Sequence, residues 1–306
     1  MRVLLIGLGD IARKAYLPVL AQHADLDIHL ATRNHAVREA VGRAFRIAHR
    51  HASAEAALAA GSFDAAFVHA ATPAHGALVR SLLERGIPTF VDKPLADRLA
   101  EVEALVALAS ARATPLVVGF NRRFAPDYVA LHGSGADLFV MGKHRDAQPD
   151  LPRRVVFDDF IHVIDTLLWL APAPVLRRTI ETHVVAGLLH TITLTLAGDG
   201  FTAIGTMHRN SGLDEERLDV IGGGARRSVF DLAEQAEARG KQSHRRRGDW
   251  TPVGRQRGFE AMCDDFLLAA RERRPVDAAA LLATHELCEA VVAQAGNGRI
   301  ALPVSD

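Results

Sequence analysis

The chain has 306 residues, with 36 Lys+Arg against 36 Asp+Glu and no formal net charge. That length allows about two domains of roughly 150 residues each, and a composition 49% hydrophobic and 24% charged excludes a disordered, collagen-like or disulfide-scaffolded chain. Neutrality also argues against a nucleic-acid partner, because broad backbone binding needs an excess of basic side chains.

Four of the 36 cations are lysines (Lys14, Lys93, Lys143, Lys241), which leaves 32 arginines. GC-rich codon usage accounts for such a ratio, but lysine has a tunable pKa and arginine does not, so each lysine invites a chemical question. Cys263 and Cys288 are widely spaced and read as buried, reduced thiols. No apolar run reaches the roughly 18 residues of a membrane span. The opening MRVLLIGLGD is broken by Gly7 and Gly9 and followed by Asp10, Arg13 and Lys14, unlike a signal peptide. A cytoplasmic protein without a membrane partner is expected.

In chain order, Val3–Ile6 reads as a buried strand and Ile11–Ala21 as a helix. Ile28–Ala31 and Ala36–Ala44 repeat the pair. Short apolar strands follow at Ala65–His69, Thr89–Val91 and Leu116–Val118, with helices at Glu55–Ala60, Pro73–Arg85 and Leu99–Ala111. This alternation predicts an α/β domain, a doubly wound parallel sheet of Rossmann type, over residues 1–119. Beyond Gly119 the pattern changes. Leu138–Met141 reads as a strand and Val155–Leu170 as one long helix. Runs at Leu189–Leu196, Phe201–Met207, Arg217–Ile221 and Ser228–Leu232 are separated by glycine turns, and helices close the chain at Phe259–Arg271 and Ala278–Ala295. Residues 120–306 are therefore expected to form an α+β domain with a mainly antiparallel sheet. The stretch from Glu234 to Arg257 is polar and reads as a solvated basic loop, with an anion-binding role as its rival.

GLGDIA, from Gly7 to Ala12, matches G-x-G-x-x-A directly between a strand and a helix, the context of a dinucleotide fingerprint. Gly7 permits the tight turn, Gly9 lets the backbone approach a pyrophosphate, and Ala12 allows close helix–strand packing. The N–H groups around Asp10 and Ile11 open the helix toward the phosphates. The second strand ends Thr32-Arg33-Asn34 without the carboxylate that would hold a 2′-hydroxyl, and Asp27 lies at the wrong end of it. Thr32, Arg33 and Arg38 suit a 2′-phosphate, so NADP is favoured over NAD. Arg33 lying in solvent or stacking on the adenine is the alternative.

Asp92-Lys93-Pro94 follows a strand at the end where open α/β sheets bind ligands, and Pro94 directs Lys93 into extended geometry. A surface lysine at a helix start is the competing reading. Asp158, His162 and Asp165 fall at i, i+4 and i+7 of an apolar helix, which places them on one face. Either His162 is a general base beside a carboxylate, or the three are a cap and hydrogen-bonded core groups. No metal site is expected: the spacing is not one of zinc, and His49-Arg50-His51 reads as a solvated turn.

Together, GLGDIA, the DKP turn at residues 92–94 and the D-x-x-x-H-x-x-D helix resemble the Gfo/Idh/MocA oxidoreductases over essentially the whole chain. ATPAH (71–75), GFNRRFAP (119–126), GKHR (142–145), DDFIHVIDTLLWL (158–170), MHR (207–209) and QRGF (256–259) are similar to its MviM-like subgroup. The resemblance implies a catalytic Lys93 with His162 and Asp158 as partners. It adds Thr72, Pro73, His75, Asp92, Asn121 and Arg123 to the cofactor site, with Arg123 also facing substrate. Lys143, His144 and Arg145 are candidates for polar or acidic substrate groups, or for a simple exposed strand end. Asp92 stands for the family's usual Glu, and Phe160 for a frequent Gly. The implied activity is hydride exchange between NADP or NAD and a sugar, cyclitol or related polyol, in a homo-oligomer (dimer or tetramer) built through the open C-terminal sheet. An NADP-binding sensor and an NAD(P)-dependent hydrolase or lyase are the rival functions.

Overall fold

The computed structural model describes residues 1–296. They fall into two compact units, Met1–Pro126 with Trp250–Ala283, and Asp127–Asp249 with the chain from Thr284 onward. The boundary expected near residue 119 makes one cut, whereas the chain crosses between the units three times, after Pro126, Asp249 and Ala283. The reason is a packing one. In the helix Phe259–Glu272, Met262, Cys263, Phe266, Leu267 and Ala270 belong to the same apolar core as Val3, Leu5, Tyr16, Phe67 and Phe90.

The first unit is built on six parallel strands in the order β3-β2-β1-β4-β5-β6. These are β1 (Arg2–Ile6), β2 (Asp27–Ala31), β3 (His49–His51), β4 (Ala65–Val68), β5 (Thr89–Val91) and β6 (Leu116–Val118). Every residue of β4 and β5 is buried, as strands covered on both faces require. Strand β3 corrects the solvated turn expected at His49–His51. It pairs with β2 through His29↔His49 and Ala31↔His51, and a three-residue polar edge strand carries no apolar signal. The helix after the glycine turn is π-wound over Ala12–Tyr16 before its α-helical turn at Leu17–Leu20.

The second unit carries eight strands in the order β14-β13-β12-β11-β7-β10-β9-β8. They are β7 (Leu138–His144), β8 (Val175–Val185), β9 (Leu188–Gly198), β10 (Phe201–His208), β11 (Glu215–Gly222), β12 (Ala225–Phe230), β13 (Glu234–Arg239) and β14 (Lys241–Arg246). Only the β7–β10 pair is parallel. Three strands lay outside the sequence reading. Edge strand β8 is mostly exposed, and the hairpin β13–β14 corrects the loop expected from Glu234 onward. In that hairpin ion pairs such as Arg246–Glu234 replace the apolar alternation that sequence patterning needs.

One helix runs along this sheet as Pro152–Val155, a π-wound turn Val156–Phe160, and Ile161–Leu170. A Cβ on Gly205 of β10 would stand 2.7 Å from Val163 Cγ1 and 3.1 Å from Leu167 Cδ1, so glycine there lets the helix lie close to the strand. Both cysteines are buried and free. Among the described residues no helix is long and apolar enough to cross a membrane.

Candidate functional site

In the first unit, parallel strands bring the candidates to one edge of the sheet. The glycine turn follows β1, Thr32 and Arg33 follow β2, Thr72 and Pro73 follow β4, and Asp92 and Lys93 follow β5. Strand β1 lies between β2 and β4, where the strand order reverses, which is the ligand-binding switch point of such sheets.

Gly7 has φ +88°, and a Cβ on it would lie 2.6 Å from the Ala70 backbone nitrogen. The turn thus crosses against the chain leaving β4, and the Gly7 N–H is tied to the Ala31 carbonyl at 3.0 Å. A Cβ on Gly9 would meet nothing within 4 Å, so the outer side of the turn is open to an incoming group. Ala12 is fully buried, and Ile11 is exposed. The Asp10 carboxylate bonds Lys14 at 2.9 Å and also Arg13, and these cations lower its pKa. Beyond β2, Arg33 is exposed, while Arg38 folds back to donate to the Thr32 carbonyl at 3.0 Å and Asn34 caps the next helix.

Lys93 is partly buried, and its peptide to Pro94 is cis. Asp92 fixes the start of this turn: its Oδ1 accepts from the Lys93 N–H at 2.9 Å and from the Tyr16 hydroxyl at 3.3 Å. Burial raises the Asp92 carboxyl despite the neighbouring Lys93 ammonium, and burial pushes the Tyr16 phenol well up. His75 is buried with ring nitrogens 2.7 Å from the Pro94 carbonyl and 2.9 Å from the Ala70 carbonyl. It therefore staples the Lys-Pro turn to the loop after β4. Asn121 is likewise a tie, donating to the Arg257 carbonyl at 2.8 Å, and Arg123 stands over the Phe120 ring.

Two residues of this edge escaped the sequence reading. A Cβ on Gly119 would meet Tyr16 Oη and Phe90 Cζ at 2.9 Å, so it lets Tyr16 reach Asp92. His69 is buried, with its ring 4.0 Å from that of Tyr16, and neither ring nitrogen has a hydrogen-bond partner among the described residues. Burial pulls its imidazole down to about 3.

In the second unit, the π-wound turn carries Asp158, and the three polar residues of this helix differ in burial. Asp158 is exposed and His162 half-buried, but Asp165 is buried and accepts from the Thr284 hydroxyl at 3.3 Å. Asp165 is therefore a hydrogen-bonded core group.

The charged centre of this unit is the next residue along, Asp159. Its carboxylate takes the Arg145 guanidinium at 2.9 Å and that of Arg209 at 2.5 Å, with Lys143 Nζ 4.0 Å away. Lys143 also donates to Glu216 at 3.3 Å, and Glu216 accepts from the Tyr128 hydroxyl at 3.0 Å. Burial alone would raise the Asp159 carboxyl, but Arg145, Lys143 and Arg209 hold it at about 2. His144 turns elsewhere, its Nδ1 accepting from the His208 N–H, and burial lowers its imidazole. The GKHR, DDF and MHR stretches thus converge on a carboxylate that nothing in the residue pattern distinguishes from Asp158. Only strand pairing puts Lys143 opposite Glu216.

A family model described as oxidoreductase family, NAD-binding Rossmann fold (GFO_IDH_MocA) matches residues 1–120, and one described as YceM-like, C-terminal domain matches residues 131–240. The YceM protein of Salmonella typhimurium is 36% identical over 278 residues, 87% of this chain and 88% of that protein. The myo-inositol dehydrogenase Hyg17 of Streptomyces leeuwenhoekii is 33% identical over 199 residues, 60% of this chain and 59% of that one. The crystal structure of a Gfo/Idh/MocA family oxidoreductase from Vibrio cholerae superposes with a TM-score of 0.91 at 34% identity, covering 97% of this chain and 98% of that one.

Proposed function

The chain belongs to the Gfo/Idh/MocA family of NAD-binding oxidoreductases, and on that premise we propose that it is a dehydrogenase acting on a CH–OH carbon of a sugar, cyclitol or related polyol. The observation that carries this reading is the glycine turn: a backbone that tolerates no side chain at Gly7 and leaves open space beyond Gly9, at the switch point of the sheet. Those residues fit a dinucleotide. Hyg17, an inositol dehydrogenase by name, supports the polyol class.

When bound, the dinucleotide supplies hydride exchange at its nicotinamide ring. The backbone N–H groups of Gly9 to Ala12 hold the pyrophosphate. Arg33, exposed at the end of a strand without a carboxylate, takes a 2′-phosphate, which makes NADP the preferred cofactor. Lys93, held by the Asp92 turn, donates to the substrate oxygen on which negative charge develops. His162 accepts the hydroxyl proton and returns it in the reverse direction. Asp158, four residues before it, orients the imidazole or holds a second hydroxyl. Lys143 and Arg145 act through Asp159, positioning the helix that bears His162. Thr191, Thr193, Thr195, Thr202 and Thr206 share the sheet face opposite the helix-packed one, and this face is assigned to self-association as a dimer or tetramer.

The test is a pair of variants with two readouts. Lys93→Ala and His162→Ala each lose at least about 100-fold in polyol-dependent NADP reduction, while fluorescence titration finds NADPH affinity within a few fold of wild type. Undiminished turnover in both variants overturns the assignment. Product formation without a net absorbance change of the nicotinamide would instead support transient oxidation in a hydrolase or lyase.

A further inference from the structure

The alternation of strands places Arg2 of β1, Asp27 and His29 of β2, and His49 and His51 of β3 on one face of the first sheet, in register across three strands. Asp27 opens β2, so this cluster starts at the opposite end of that strand from the glycine turn. His29 Nε2 lies 3.2 Å from Asp27 Oδ2, and His49 Nε2 lies 3.5 Å from Asp27 Oδ1. One donor atom from each of the three residues lies within 4.8 Å of the others.

We propose that Asp27, His29 and His49 form a binding site for a divalent transition-metal ion of the zinc class, clamping the edge strand β3 to β2. Zinc–ligand bonds of about 2.0–2.1 Å arranged tetrahedrally put neighbouring donor atoms roughly 3.3 Å apart, close to the two donor separations seen here. Two imidazoles and one carboxylate suit a borderline cation and leave the fourth position to water. Calcium and magnesium prefer all-oxygen shells and fit poorly.

A second, independent feature points the same way. His29 Nδ1 lies 3.0 Å from His51 Nε2, so once Nε2 gives up its place beside Asp27 to a metal, the Nδ1–H can donate to His51. An outer hydrogen bond on the far ring nitrogen is how proteins orient metal-binding histidines.

Two features of the metal-free arrangement must give way. The rings of His29 and His49 are stacked, 4.2 Å apart and 8° from parallel, so their lone pairs run side by side. His29 is fixed, with 3% of its side chain exposed, but His49 is 55% exposed and free to turn its ring toward a shared point. The Arg2 guanidinium now supplies the positive charge, with Nε 3.4 Å from Asp27 and Nη2 3.3 Å from His29 Nε2. It also lies over the Phe63 ring at 5.4 Å, a resting place it keeps when a metal displaces it.

Isothermal titration of the full-length protein with Zn²⁺, with thermal unfolding in parallel, tests the site. Wild type is expected to bind one ion that His49→Ala, a substitution at an exposed side chain, weakens by tenfold or more. His51→Ala, which touches only the outer hydrogen bond, is expected to weaken it about tenfold. Arg2→Ala is expected to tighten binding, because it removes the competing cation, and adventitious surface histidines would not respond to it. The melting temperature of wild type rises with Zn²⁺ and that of His49→Ala does not follow at the same concentration. Equal Zn²⁺ affinity in wild type and His49→Ala, or an equal response to Mg²⁺, overturns the proposal.

Discussion

Both units carry a π-wound turn in a helix of the candidate site, Ala12–Tyr16 in one and Val156–Phe160 in the other, and the two turns differ in what they place. A π-wound turn holds one residue more than an α-helical turn, so side chains beyond it rotate by roughly 100° relative to the regular pattern. In the first unit the proposed working part is backbone, from Gly7 to Ala12, and the turn ends at Tyr16, whose hydroxyl donates to Asp92. In the second the proposed working part is side chain. There two consecutive aspartates within the turn face different ways, Asp158 outward and Asp159 into the Arg145–Arg209–Lys143 cluster. A backbone site survives a change of helical phase, and a side-chain site is redrawn by it.

The contrast between the aspartates breaks or stands on one pair of substitutions. Asp159→Ala leaves Arg145, Arg209 and Lys143 without their shared carboxylate, and removing one partner from a largely buried ion cluster costs about 3–5 kcal/mol. Asp158→Ala removes an exposed side chain and stays within about 0.5 kcal/mol. Urea unfolding measures both. Similar losses in the two variants would show that the turn does not divide their roles.

The same difference governs how much could be read from the sequence. GLGDIA is legible because its glycines answer a steric demand that the motif itself states, and the structure shows that demand at Gly7. The buried apolar strands β1, β4 and β5 are legible for a similar reason, since burial on both faces writes a continuous hydrophobic run. Strands β3, β8, β13 and β14 are held by edge hydrogen bonds and charge pairs, and their composition is that of a loop. In the candidate site, the spacing of Asp158, His162 and Asp165 assumes a constant 100° per residue, which the π-wound turn breaks. Asp159 acquires its partners from β7 and from Arg209 just past β10, so its importance is a property of strand register. Lys143 persisted as lysine where the sequence raised a chemical question, and the structure answers with Glu216.

The backbone site is sharpened by its two glycines. Gly7→Ala forces a Cβ into a left-handed residue and to 2.6 Å from Ala70 N. A loss of about 2–3 kcal/mol is expected in urea unfolding, together with loss of dinucleotide binding. Gly9→Ala places its methyl in open space, so stability is retained while dinucleotide affinity falls. If Gly9→Ala binds NADPH and NADH as wild type does, the turn is structural only.

The smallest expected effect separates the units by pH. His69, packed on Tyr16 in the first unit, is pulled from 6.5 to about 3 by burial, with the His75 imidazole adding to the shift. Its folded-state pKa is depressed, so near neutral pH neither state binds the proton and the penalty is absent. As pH falls below 6.5 the unfolded chain takes up a proton that the folded chain refuses, and stability declines by up to about 1.4 kcal/mol per pH unit, or about 2 kcal/mol by pH 5. Asp159 contributes in a lower window, between its ordinary value of 3.8 and about 2, where protonation releases its cations. The His69 contribution is therefore lost at a higher pH than that of Asp159. His69→Phe keeps a ring against Tyr16 and removes two buried nitrogens without partners among the described residues, at little or no cost at pH 7. In that variant the decline between pH 6.5 and 5 should flatten, while the loss below pH 4 remains. An unchanged slope above pH 5 would assign the early titration to groups other than His69 and remove the buried imidazole from the comparison.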